Sequence, residues 1–424
     1  MLARSLKPPA DLLPAGSLEA LDWLNFFLAA LLMGFGPFVT VYLADRGWVP
    51  ESIGFVLTAS GLAGLVTQVP GGELIDAVKA KRAVVGTATA AVILVVLVYR
   101  LLPDFPAVFA AATIQGMAGS LLGPGIAAIS LGLVGHEALG ERLGRNQRFA
   151  SIGGLTAAGI MGIVGYLLPT REILLVAALL GFPVLFALAG IRTADIHYGR
   201  SCGAPDHHGT EPQRASRADL LKDRRLIVFA ASLFLFQVAN ASILPLIGES
   251  LVHVEKRWSS LIMSGLIVPP QIIVALLSIW AGRTADSWGR RPLLLIGLAV
   301  VPIRAGFFAL TEDPALLIVI EVLDGLTGAT LGVLTALVIA DLTKGTGRFN
   351  LAQGLVGTLS GVGASLSTSI SGLFVERFGQ TAGFLSVMTV ALLALAILWL
   401  FMPETKPSAL GPQGEYNCEQ SGGV

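Results

Sequence analysis

The sequence predicts an all-α polytopic membrane protein, with twelve spanning helices arranged as two six-helix bundles. Three observations predict it: an apolar composition, twelve apolar stretches long enough to cross a bilayer, and a repeat relating the two halves. Of 424 residues, 54% are hydrophobic and 13% charged, against about 25% charged in a soluble domain. Mean hydropathy is +0.77. A soluble chain this apolar could not cover itself with polar surface. A cytosolic enzyme, a nucleic-acid binder and a disordered protein are therefore excluded. The 28 basic and 28 acidic residues cancel, so no long-range field points to an acidic partner. Two cysteines, Cys202 and Cys418, cannot staple a chain of this length.

A spanning helix needs about 20 mostly apolar residues. Such stretches run near 21–44, 52–75, 83–102, 106–134, 147–168 and 172–191, then near 225–250, 258–284, 292–310, 314–342, 351–375 and 381–402. The expected organisation is an N-terminal segment 1–20, a bundle 21–191, a polar central loop 192–224, a second bundle 225–402 and a tail 403–424 read as a disordered end. No small-residue cleavage site follows the first span, so no removable signal peptide is expected. Twenty-one of the 28 Lys and Arg lie in the termini and even-numbered loops, and six on the opposite side. That bias places both termini in the cytoplasm, in a cell (inner, plasma) membrane. It leaves both cysteines as free thiols.

The halves repeat. Ile114-Gln115-Gly116-Met117-Ala118-Gly119 aligns with Leu323-Asp324-Gly325-Leu326-Thr327-Gly328, and Gly123 with Gly332. Gly72 and Asp76 align with Gly282 and Asp286. Six spans is an even number, so the halves are parallel repeats about an axis along the membrane normal. That geometry puts a cavity between them and a binding site near the midplane.

At these residues the sequence resembles the major facilitator superfamily (MFS) of secondary transporters. Its signature loop reads Gly-x-x-x-Asp-(Arg/Lys)-x-Gly-(Arg/Lys)-(Arg/Lys). The second half has Gly282-Arg283-Thr284-Ala285-Asp286-Ser287-Trp288-Gly289-Arg290-Arg291, with Ser287 in place of one basic residue. The first half has Gly72-Glu73-Leu74-Ile75-Asp76-Ala77-Val78-Lys79-Ala80-Lys81-Arg82, with Lys79 in place of the second glycine. The resemblance spans residues 20–402 and implies the MFS fold and conformational-switch loops at these positions. A carboxylate in such a loop can accept hydrogen bonds from a helix N-terminus, where the dipole favours negative charge. Asp341 is the candidate partner of Arg290. The alternative is that Arg290 and Arg291 serve only as topology anchors. Two family features depart: Ala112 stands where proton-driven antiporters place an arginine, and no Gly-Pro occurs among the glycines of 153–165. Both argue against the drug-antiporter branch.

An ionisable side chain at membrane depth costs several kcal/mol on most scales. Three stand out: Arg304 in the ninth span, and Glu321 and Asp324 three residues apart on one face of the tenth. Arg304 and Glu321 sit at matching depth, at about 1.5 Å per residue, so a structural ion pair is expected; otherwise Arg304 snorkels to water. Asp324 is left unpaired, with the neutral Gln115 as its repeat mate. A carboxyl group gains and loses one proton, as a coupling site must; the alternative is an aspartate held as a packing element. Asn25, Gln115, Gln237, Asn240 and Gln271 form a softer set of substrate candidates. Amides both donate and accept, which suits a polar uncharged ligand, but they also glue helices together. No cluster of cavity arginines speaks for polyanionic substrates. Gly123-Pro124-Gly125 is expected to interrupt the fourth span as a hinge. Cys202 and His197 fall near Asp206, His207 and His208, but the spacing matches no metal finger.

The expected protein is a monomeric secondary transporter, not an enzyme. It moves a small organic solute through the bilayer by alternating access, with no cofactor, the proton gradient as driving force and Asp324 as carrier. Nucleic acid is not a partner. The rivals are an uncoupled facilitator and a non-transporting sensor on the same fold.

Overall fold

A computed structural model describes residues 14–167, 170–204, 216–250, 256–311 and 313–406. The first half folds into α1 (Ala15–Asp45), α2 (Pro50–Ala77), α3 (Lys81–Leu101), α4 (Phe105–Val134), α5 (Leu139–Leu167) and α6 (Thr170–Gly190). Two short helices follow, α7 (Tyr198–Ser201) and α8 (Arg217–Lys222). The second half contains α9 (Arg224–Asn240), α10 (Ile243–Ser250), α11 (Lys256–Trp288), α12 (Arg290–Phe308), α13 (Pro314–Glu321), α14 (Asp324–Leu342), α15 (Phe349–Phe378) and α16 (Gln380–Phe401).

Local chemistry sets several boundaries. Asp104 accepts the Ala107 N–H at 3.0 Å and starts α4, with Pro106 in its first turn. Asp223 starts α9 by accepting from Arg225, and Asp313 starts α13 by accepting from Ala315. Gly289, at φ +112°, turns α11 into α12, a backbone conformation that glycine adopts without a Cβ clash. Among the described residues, ten helices are long and apolar enough to cross a membrane. α6 is apolar after Arg171 and Glu172, and α5 opens with charged residues. Val66, Phe186 and Leu310 are 74%, 77% and 82% exposed, as expected of side chains facing lipid.

Within the first half, α1 packs on α5 and α6, α2 on α4, and α3 on α4 and α6. Within the second, α9 packs on α15 and α16, α11 on α14, and α12 on α14 and α16. The halves meet along two seams, α5 on α11 and α2 on α15. The terminal face is the one where α1 begins and α16 ends.

Five expectations change. The fifth helix begins at Leu139 rather than 147, because buried Arg142 finds Asp22 and so tolerates a place inside the bundle. Gly123-Pro124-Gly125 does not interrupt the fourth span: α4 is continuous through Pro124. A Cβ at Gly125 would meet Val85, so this glycine admits α3. The seventh and tenth spans instead pass through a turn, at Ala241–Ser242 and Val322–Leu323, with Ala241, Val322 and Leu323 still in the right-handed helical region. The start of the central loop is folded: Cys202 is fully buried and its carbonyl accepts the Phe349 N–H at 3.1 Å. The first residues of the tail are also fixed, since Glu404 accepts from Arg290 and Arg291. Asp206, His207, His208, Cys418 and residues 407–424 lie outside the described residues.

Candidate functional site

A cavity of about 490 Å³ lies between the halves. Asn25 of α1, Gln68 of α2, Asn146 and Gln147 of α5, Gln237 of α9 and Gln353 of α15 line it. Gly123 and Pro124 form part of its α4 wall, and no Asp, Glu, Lys or Arg is among its lining residues. Asn25 is ten residues into α1, a depth of roughly 15 Å at 1.5 Å per residue. Some amides are committed. Asn25 Nδ2 donates to the Leu21 carbonyl at 2.7 Å, and Asn146 bridges Arg142 Nε (2.9 Å) and Ser130 Oγ (2.8 Å). Gln68 Oε1 is buried and accepts no hydrogen bond among the described residues.

Of the sequence-derived candidates, Asn25 and Gln237 reach this cavity. Glu321, Asp324, Gln115, Asn240 and Gln271 are not among its lining residues. Gln115 lies five residues outward of Ser120, the outermost cavity residue of α4. Gln68, Asn146, Gln147 and Gln353 were not singled out by sequence. An amide carries no mark of which helix face it occupies.

The charged trio gathers elsewhere. Arg304 Nη1 lies 3.5 Å from Glu321 Oε1 and also pairs with Asp324. Arg304 Nη2 donates to Asn240 Oδ1 at 2.7 Å. Asp324 is therefore not unpaired, contrary to the sequence expectation. Glu321 and Asp324 lie three residues apart on one face, so across the turn at Val322–Leu323 both reach one guanidinium. Asn240 likewise ends α9, so two such turns flank one ion cluster. Arg304 and Glu321 are 1% exposed. Glu321 Oε2 accepts no hydrogen bond among the described residues.

The two switch loops sit at the terminal face. Asp76 is buried and caps α15: its carboxylate accepts the Asn350 N–H (3.1 Å), Asn350 Nδ2 (2.8 Å) and the Leu351 N–H (2.9 Å). A Cβ at Gly72 would strike the Asn350 carbonyl, so glycine permits this approach. In the second loop, a Cβ at Gly282 would strike the Gly140 carbonyl, and one at Gly140 would meet Asp286. Arg283 pairs with Glu141 at 2.7 Å, and Arg348 with Glu73 at 3.2 Å. Arg290 Nε reaches Asp341 at 2.8 Å. Arg290 Nη1 also lies 3.5 Å from Asp286. Arg291 Nη2 donates to the Trp399 carbonyl at 2.6 Å.

The central loop joins this closure. Lys81 donates to the Ile75 carbonyl and stands 5.0 Å from the Tyr198 ring centre, while Arg82 holds Thr193 at 3.0 Å. Tyr198 donates to the Asp76 carbonyl at 3.1 Å, and the Gly203 carbonyl accepts the Gly345 N–H at 2.6 Å. Glu404 adds a clasp that sequence reasoning missed. Partial burial raises its carboxyl, but the N–H groups of Arg290, Lys406, Arg291 and Thr405 outweigh this and hold it below the ordinary carboxylate range.

Two helical bundles, closed against each other at one face around a cavity that amides from both bundles enter, form the architecture of a carrier that works by alternating access. The family model of the Major Facilitator Superfamily matches residues 23–301 and 226–418. An uncharacterised MFS-type transporter of Mycobacterium tuberculosis (strain CDC 1551 / Oshkosh) is 35% identical over 400 residues, covering 92% of this chain and 94% of the relative. The proton:xylose symporter XylE, solved with 6-bromo-6-deoxy-D-glucose, shares the fold at a TM-score of 0.71 and 14% identity, covering 92% of this chain and 97% of that one. The Escherichia coli fucose:proton symporter FucP does so at 0.69 and 14%, covering 91% and 97%. The chain belongs to the Major Facilitator Superfamily: it is a multi-pass membrane transporter, not an enzyme.

Proposed function

We propose that the protein carries a small, uncharged, polar organic solute, driven by the proton gradient, as a monomer with both termini cytoplasmic in the inner membrane. The supporting observation is the cavity lining, in which amides from both halves face one space without a charged side chain. An amide wall gives donors and acceptors to hydroxyl or amide groups. It gives an organic phosphate no cation.

For coupling, the Arg304 cluster supplies the chemistry. One guanidinium serves two carboxylates, so one proton balances the cluster and its loss leaves a net negative charge. Glu321 Oε2 has a free acceptor position, and Asp324 is 31% exposed at its side chain. The cluster acts on the cavity through its helices. Asp324 opens α14, which lines the cavity from Leu331 to Ile339, and Asn240 lies three residues past Gln237. Exchange of Arg304 between its partners would move both walls.

The test is uptake into proteoliposomes with an imposed pH gradient, across a panel of neutral polyols, sugars and amides beside organic anions. Concentrative uptake of a neutral solute, lost in Asp324→Asn while exchange survives, is the expected result. Uptake of anions alone would overturn the substrate class. A facilitator is the second reading, favoured by the lack of titratable groups in the cavity lining. It requires exchange that ignores the pH gradient.

A further inference from the structure

We propose that a groove between α5 and α11, at the terminal face, binds an anionic phospholipid, whose phosphate lies among Arg145, Arg148 and Arg283. The groove encloses about 700 Å³ and is separate from the central cavity. Its upper part carries those three arginines, and its floor is apolar, with Ile152, Leu276 and Trp280. These floor residues are 36%, 65% and 47% exposed, which gives an acyl chain a surface to cover.

Depth fits the two parts of a lipid. Arg283 is five residues from the end of α11, and Arg145 and Arg148 are six and nine residues into α5. At 1.5 Å per residue these are roughly 8, 9 and 14 Å along the helices. The polar headgroup layer is about 5–8 Å thick on each side of the hydrocarbon, so the arginines straddle its lower boundary. Leu276 and Ile152 lie deeper. Trp280 sits between, at the level where amphipathic rings gather.

Charge also fits. Arg142, Arg145, Arg148 and Arg283 face two carboxylates, Asp22 and Glu141. Arg145 is spent on Asp22, at 2.6 Å and 2.8 Å, and one Arg283 nitrogen on Glu141, at 2.7 Å. Arg148 is exposed and has no ion-pair partner among the described residues. Two positive charges remain over at a bilayer interface. A guanidinium binds phosphate through paired N–H groups, and the apolar floor selects a phosphate that carries chains over a free one.

The site spans both bundles, since α5 belongs to the first and α11 to the second. Binding is therefore linked to closure of the terminal face: the lipid favours the closed state by the same factor that closure strengthens binding. This holds whichever solute is carried and whichever way the protein is oriented.

The experiment is native mass spectrometry of the full-length protein released from nanodiscs of phosphatidylcholine with phosphatidylglycerol. The comparison is between wild type, Arg148→Glu and Arg225→Glu, a charge reversal elsewhere at the same face. We expect phosphatidylglycerol retention five- to tenfold lower in Arg148→Glu, unchanged phosphatidylcholine, and wild-type behaviour in Arg225→Glu. Soluble glycerol phosphate should not displace the lipid. Equal retention in all three proteins overturns the proposal. So does equal loss in both variants, or displacement by glycerol phosphate. Should Arg148→Glu fail to fold, Arg148→Gln is read in its place, with at least a threefold loss required.

Discussion

Leu351 donates its backbone N–H to the Asp76 carboxylate at 2.9 Å, across 275 residues of sequence. A carboxylate of one half thus closes a helix end of the other. Removing it leaves buried donors unmet, at about 1–3 kcal/mol, or roughly 5- to 150-fold in the closed-to-open ratio. Asp76→Ala should shift spin-label distances between α2 and α15 at the terminal face toward the separated state. Unchanged distance distributions would sink this role.

Gly282 tests the same closure by bulk rather than charge. A Cβ there meets backbone at Gly140, which no rotamer can relieve. Gly282→Ala should widen the α5–α11 seam and lower transport by at least tenfold while the protein still inserts. Gly119 has nothing within contact of such a Cβ, so Gly119→Ala should behave as wild type.

Arg304 is the sole cation facing Glu321 and Asp324 among the described contacts. Breaking a buried pair by removing one partner costs about 3–5 kcal/mol. Arg304→Gln should fail to reach a normal folded yield in detergent. Arg304→Gln combined with Glu321→Gln should recover much of it. Equal yields for the single and double variants would show that the three charges are not coupled.

Gln237 faces the cavity and Gln271 does not. One lost hydrogen bond to a bound solute is worth about 0.5–1.5 kcal/mol, or roughly 2- to 13-fold. Gln237→Ala should raise KM within that range with no change in melting temperature. Gln271→Ala should leave KM alone. The reverse pattern would remove the cavity from the transport path.

Glu404 gives a pH signature. Its folded carboxyl is held below the ordinary range, so its contribution to stability is present above about pH 4.3, the unfolded reference. That contribution is lost as pH falls through the folded value. The melting-temperature gap between wild type and Glu404→Gln should therefore be open at pH 6 and close on acidification. A gap that grows toward low pH contradicts the clasp.

Helix existence was readable because spanning segments are long and nearly uniform in apolarity. The face each polar residue takes was not. Gln68 and Gln271 read alike in sequence, yet one reaches the cavity. Depth arithmetic brought Arg304 and Glu321 to one level, because rise per residue is fixed. It missed the contact with Asp324 because depth was matched for one pair only, although residues three apart share a face and one guanidinium can reach both. Pro124 misled in the opposite sense: proline suggested an interruption, but neighbouring helices hold α4 continuous. Arg142 and Arg145 looked like loop charges because their acid partner, Asp22, sits in another helix.

The Asp76 closure joins a side-chain acceptor to donors that are partly main chain. Main-chain donors are indifferent to sequence, so the hydrogen bond itself asks nothing of the side chain at 351, which only has to fill its buried, apolar place. Only proline would delete that N–H. The α15 side of the closure depends on one side chain, Asn350, and the α2 side on the Asp76 carboxylate and the bare Cα of Gly72. A survey of tolerated substitutions should thus accept apolar exchange at 351 and little at 76 or 350.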